Sequence, residues 1–111
     1  MEIRDNDKIC IFAPLSSKLN KHESVRLLKN IMNETRTIAI DLSYVEECTI
    51  DFINIIKEIC THKRLGIFNI PSDIFALFNV MQIDKCADLF VSEIDFKEDK
   101  RQLINRRFSI I

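Results

Sequence analysis

The side chains able to do chemistry in this chain are few and scattered. Its four cysteines, Cys10, Cys48, Cys60 and Cys86, never form a C-x-x-C pair, and only His22 and His62 could join them around a metal. That spacing matches no zinc pattern. Two disulfides are open on cysteine count, but each cysteine sits among apolar residues, which favours buried thiols. A nucleophilic Cys or Ser would need a base within hydrogen-bond reach. His22 stands beside Lys21 and Glu23 in a polar helix turn, and His62 beside Lys63 and Arg64 in a loop, so both read as solvated. No G-x-S-x-G elbow or zinc-protease helix is present. With Gly66 as its single glycine, the chain cannot build a Walker loop or a dinucleotide fingerprint, whose backbone must approach phosphate closely. No catalytic residue, cofactor or metal site is expected.

The carboxylates are placed more informatively. Asp41 ends an apolar run, Glu46 and Glu47 lie in the loop after it, and Asp51 opens a helix. The helix dipole favours an acid there by roughly 0.3–1 kcal/mol, so a good helix start explains Asp51 without any ligand. The set lacks the D-x-D-x-D-G loop of a calcium site. Lys97 to Arg107 carries Lys100, Arg101, Arg106 and Arg107 and reads as a solvated helix face, with a lipid or nucleic-acid patch as the lesser alternative.

These residues are positioned by alternating strands and helices. Lys8 to Ala13 is an apolar, β-branched and aromatic run stopped by Pro14, the mark of a strand. Asn20 to Glu23 forms an Asx cap, and Val25, Leu27, Leu28, Ile31 and Met32 follow at helical spacing, predicting a first helix over roughly 21–33. Ile38 to Ile40 then Asp41 predict a strand buried on both faces. Phe52, Ile55, Ile56 and Ile59 share one face of a second helix starting between Thr49 and Asp51, held by packing because isoleucine has modest helix propensity. Leu65 to Ile70 is a further strand; Pro71-Ser72-Asp73 turns the chain and caps a short helix with Ile74, Leu77 and Phe78. Cys86 to Val91 is a fourth apolar stretch, and Asp95 to Glu98 starts a charged final helix carrying Leu103 and Ile104.

With 111 residues, 47% apolar and 30% charged, the chain fits one domain with a real core, residues 1–111. Its net charge of −1 provides no field for a polyanion, so nucleic acid is not expected as a partner. No stretch reaches the roughly 18 apolar residues of a membrane span, and the polar amino end lacks a secretory h-region, so a reducing cytosol is the expected compartment. The alternation predicts an α/β fold: a mixed sheet of four or five strands, opened by the Lys8 strand and covered by about four helices.

The segment Ile38-Ala39-Ile40-Asp41-Leu42-Ser43-Tyr44-Val45 resembles the strand-and-turn signature of STAS domains, the family of bacterial anti-sigma factor antagonists, where apolar residues lead into D-L-S-x-V. The similarity continues loosely through Ile67 to Ser72 and Ile74 to Lys85, and covers nearly the whole chain. It implies a non-catalytic module that binds a kinase-like anti-sigma partner through the start of its second helix. In the family that point carries D-S-S-G or D-S/T-x-G, with a phosphorylated Ser or Thr. Here the ungapped register puts Thr49 on the family's Asp, Asp51 on the acceptor and Phe52 on the Gly. A loop two residues longer puts Asp51 on the Asp, Phe52 and Ile53 on the hydroxyl positions, and Asn54 on the Gly. Neither register retains an acceptor hydroxyl.

The resemblance therefore implies a docking edge of Glu46, Glu47, Thr49, Asp51 and an exposed Phe52 that has lost ordinary phosphorylation control. Some STAS-like proteins are instead small cytosolic subunits of ABC-type lipid transporters with Thr as the acceptor, and Thr49 keeps a transporter subunit open as partner. Rivals of other classes are an enzyme whose site is completed by a second chain and a structural homo-oligomer joined through the apolar tail Phe108 to Ile111.

Overall fold

The computed structural model describes residues 1–100. In chain order the elements are β1 (Glu2–Asp5), β2 (Ile9–Ala13), β3 (Lys18–Leu19), α1 (Lys21–Met32), β4 (Thr37–Asp41), β5 (Glu47–Cys48), α2 (Ile50–His62), β6 (Leu65–Phe68), α3 (Ser72–Val80), a 3-10 turn (Ile83–Lys85), β7 (Asp88–Leu89) and α4 (Glu93–Lys97). One sheet has the order β1-β2-β4-β6-β7; β1 is antiparallel to β2 and the other neighbours are parallel. Among the described residues the fold is α/β, with a five-stranded mixed sheet and four helices, as the alternation predicts. β3 and β5 form a separate two-stranded parallel ladder.

The parallel strands are buried on both sides, which is why they read as apolar runs. Side chains alternate across a strand. Cys10, Phe12, Ile38, Ile40, Leu65 and Ile67 point to the face packed by Leu27 and Ile31 of α1, the isoleucines of α2, and Ile74 and Phe78 of α3. Ile11, Ala39 and Phe68 point to the opposite face, where they meet Phe90 and Phe96. Phe96 stacks on Phe68 with centroids 5.7 Å apart and meets Phe90 edge-on at 5.4 Å.

The helix ends follow their local chemistry. The Asn20 side chain accepts the Glu23 N–H at 3.0 Å, as the Asx cap predicts. The other end of α1 is closed from a distance: Lys63 donates its ammonium to the carbonyls of Ile31 at 2.8 Å, Met32 at 3.1 Å, and Glu34. A cation there satisfies orphan carbonyls and suits the negative end of the helix dipole.

Several expectations are corrected. The sheet opens with β1, not with the Lys8 strand: Glu2 to Asp5 pairs residue for residue with Ala13 to Cys10, although only Ile3 in it is apolar. His62 is the exposed last residue of α2, not a loop residue. Ser72 lies inside α3, whose N-cap is Pro71 without a side-chain hydrogen bond. The final helix starts earlier than Asp95, because the Ser92 hydroxyl accepts the Asp95 N–H at 3.3 Å, and it closes at Lys97 before Asp99 turns left-handed with φ 57°. Cys86 is exposed rather than buried. Leu103, Ile104 and the tail Phe108 to Ile111 lie outside the described residues.

Gly66 has a steric reason. A Cβ built on it would stand 2.8 Å from Phe96 Cε1 and 2.9 Å from Cδ1, closer than such atoms approach, so the ring packs directly on the strand backbone. Gly66→Ala is expected to push Phe96 off the sheet and destabilise the fold by about 1–3 kcal/mol. Urea unfolding checks this, and Phe96→Leu in the same background is expected to recover part of the loss.

Candidate functional site

The segment entering α2 is held by backbone rather than by its own side chains. The Ser17 carbonyl accepts from Glu46 N at 2.7 Å and Glu47 N at 3.0 Å, and the Leu19 carbonyl accepts from Thr49 N at 3.0 Å. Thr49 takes the extended N-cap conformation, with φ −92° and ψ 170°. Its hydroxyl donates to the Leu19 carbonyl at 3.2 Å and lies 3.5 Å from Asp51 Oδ2, and no side chain caps the first turn of α2. That turn therefore presents amides and an acid at an accessible corner.

Four of the five residues singled out from the sequence come together there. Glu46 and Glu47 are exposed, and Thr49 and Asp51 are half-buried. Phe52 is the correction: it is 0% exposed and faces Phe78 with ring centroids 6.4 Å apart. The spacing explains it, since Phe52, Ile56 and Ile59 lie at i, i+4 and i+7 on the face that packs on the sheet. The exposed apolar residue at the helix start is Ile50, at 55%. Beside it, Glu46, Glu47 and Cys48 face Asp73, Ile74 and Leu77 of α3 across a groove of about 540 Å³.

Burial, then the charge of Glu47, pushes the Cys48 thiol up to about 11, which keeps it protonated and poorly nucleophilic at neutral pH. His22 and His62 are both exposed. Among the described residues no three His, Cys, Asp or Glu side chains are grouped to hold a metal ion, and no helix is long and apolar enough to cross a membrane.

Asp41 proves to be a positioning residue. Its buried carboxylate accepts from Arg4 at 2.8 Å, Ser43 N at 2.9 Å, Ser43 Oγ at 2.7 Å and Asn69 Nδ2 at 3.1 Å. Asn69 is left-handed, φ 54°, a conformation Asn tolerates better than most residues. Arg4 also binds Glu2 and Glu93, each at 2.6 Å. One carboxylate thus ties together β1, the loop after β4 and the end of β6.

A larger groove, about 880 Å³, opens near the amino ends of β2, β4 and β6 and includes Ile9, Gly66, Phe90 and Phe96 in its wall. Composition gave no hint of it, because its lining comes from segments far apart in sequence. Many of its charges are engaged locally: Arg36 with Glu34 and Asp5, and Arg64 with Asp88.

Burial pushes the Asp41 carboxyl up, but hydrogen bonds from Arg4, Ser43 and Asn69 outweigh it and hold the group below its ordinary value. A depressed folded-state value means stability that is present above about pH 4 and is lost as pH falls through the folded value. Asp41→Asn is expected to lower stability by roughly 1–3 kcal/mol at pH 7 and by less at pH 2. Glu34, held down to about 2 by hydrogen bonds from Arg36, adds a contribution of the same sign that this variant leaves in place. Thermal unfolding of both proteins between pH 7 and 2 checks the convergence.

No protein-family model matches the chain, and no curated protein matches it.

Proposed function

We propose that this chain is a non-catalytic protein-docking module of the STAS type, akin to anti-sigma factor antagonists, and that its partner seats on the amino end of α2. The observation that carries the proposal is Ile50: a branched apolar side chain, 55% exposed, at the tip of a helix and set among carboxylates. A large apolar side chain in a polar ring is the make-up of an interface anchor. Glu46, Asp51 and Asp73, with Glu47 paired to Lys18 at 3.8 Å, leave the surroundings with a net negative sign, so the partner surface carries basic groups around an apolar contact. The succession of strand, helix, strand, helix, strand and helix agrees with what the sequence resemblance implies, and α2 starts where the resemblance puts the family's switch.

On the ungapped register, Asp51 stands in for the phosphorylated residue at that switch. It supplies about one negative charge against roughly 1.5–2 for a phosphoserine, a partial and permanent mimic. Thr49, the nearest hydroxyl, is turned to the Leu19 carbonyl and sits by the Asp51 carboxylate, which disfavours adding a phosphate there.

Affinity-tagged protein expressed in its native host is expected to retain a kinase-like regulator. Ile50→Glu, at an exposed position, is expected to weaken that retention roughly tenfold with an unchanged melting temperature. Retention of a transporter permease would assign the alternative accessory role. Retention of the chain alone, or equal retention by Ile50→Glu, would remove this edge as the docking surface.

A further inference from the structure

The larger sheet ends on β1, whose far side pairs with no strand among the described residues. Asn6 donates its N–H to the Ile9 carbonyl at 2.9 Å, one step beyond the Asp5–Cys10 pair. Bonded and non-bonded pairs alternate along an antiparallel ladder. Glu2 and Arg4 therefore turn their backbone N–H and C=O groups to β2, and Ile3 and Asp5 turn theirs to the free edge. The Ile3 side chain is 50% exposed there. The opposite edge of the sheet, β7, is only two residues long. Charges along an edge strand ordinarily discourage pairing with another chain. Those of β1 are complementary to β1 itself.

We infer that β1 is a self-association edge, along which two copies of this chain join antiparallel about a two-fold axis at Ile3 and continue the sheet from one copy into the other. Two constraints select this register. Outward-facing residues must oppose outward-facing residues, so the axis passes through a residue and not between two. An axis at Glu2, Arg4 or Asp5 sets two like charges face to face, which is destabilising. At Ile3 the two isoleucines meet, and each Glu2 opposes the Arg4 of the other copy. Arg4 already holds Glu2 of its own chain at 2.6 Å and Asp41 at 2.8 Å, so its guanidinium is fixed on the face where the second carboxylate arrives. The Asp5 carboxylate is drawn off to Arg36 at 2.8 Å.

Four residues per chain bury less than a standard interface, so the association is weak, with a dissociation constant on the order of 0.1 mM. It uses none of the residues at the start of α2, and loss of partner docking there leaves it in place.

Sedimentation equilibrium from about 0.01 to about 1 mM is expected to shift from one chain of 13.0 kDa towards two. Ile3→Pro removes an outward N–H and leaves the bonds to β2 intact, and is expected to hold the protein at one chain throughout, with little change in melting temperature. Glu2→Lys sets like charges opposite each other twice and is expected to weaken association roughly tenfold. Ile3→Cys, combined with Cys86→Ser to remove the exposed native thiol, is expected to give a disulfide-linked dimer on mild oxidation. Residues at the axis stand about 5.5 Å apart between Cα atoms, within disulfide reach. A single chain at about 1 mM would overturn the assignment. So would a dimer that folded Ile3→Pro or Glu2→Lys leaves at full strength, or one that Ile3→Cys fails to cross-link.

Discussion

The structure depends on β4 being buried on both faces. A strand with Ile38 and Ile40 on one side and Ala39 on the other is stable only if both of its edges are hydrogen-bonded and both faces are covered. β2 and β6 supply the edges, α1 to α3 cover one face, and Phe90 and Phe96 cover the other. The strand ends on a buried carboxylate, which would be costly unless satisfied. Asp41 is satisfied by four donors drawn from β1, the following loop and the end of β6, so the polar end of the strand organises its neighbours as much as the apolar part does.

Once β4 ends there, the start of α2 is constrained as well. The chain from Leu42 to Thr49 leaves the end of the central strand, is pinned by the carbonyls of Ser17 and Leu19, and delivers Ile50 outward while Phe52 turns in. The proposed docking surface is a by-product of burying the opposite face of α2. The acids collected there are the basis for proposing a basic partner.

Much of this was legible in the sequence where a local pattern carried it. The Asn20 cap, the 52/56/59 spacing and the apolar Ile38 to Ile40 all depend on neighbours within a few residues. β1 was not legible because Glu-Ile-Arg-Asp has no apolar alternation, although it joins β2 through a tight turn at Asn6 and is tied to Asp41 by Arg4. The two-residue strands β3 and β5 are too short to leave a pattern. The Ser92 cap, whose hydroxyl accepts the Asp95 N–H, stands three residues before the box starting at Asp95, a choice between two similar local signals. The exposure of Ile50 follows from helical spacing, which places Phe52 with Ile56 and Ile59 on the packed face.

The central claim is that this domain acts through the surface at the start of α2. Hydrogen–deuterium exchange of the chain, alone and bound to its co-purified partner, tests that most directly. Slowed exchange at residues 46–51 and 73–77 upon binding is the result this account predicts. Slowing confined to the strand ends around Ile9, Thr37 and Phe90, with the start of α2 unchanged, would contradict it.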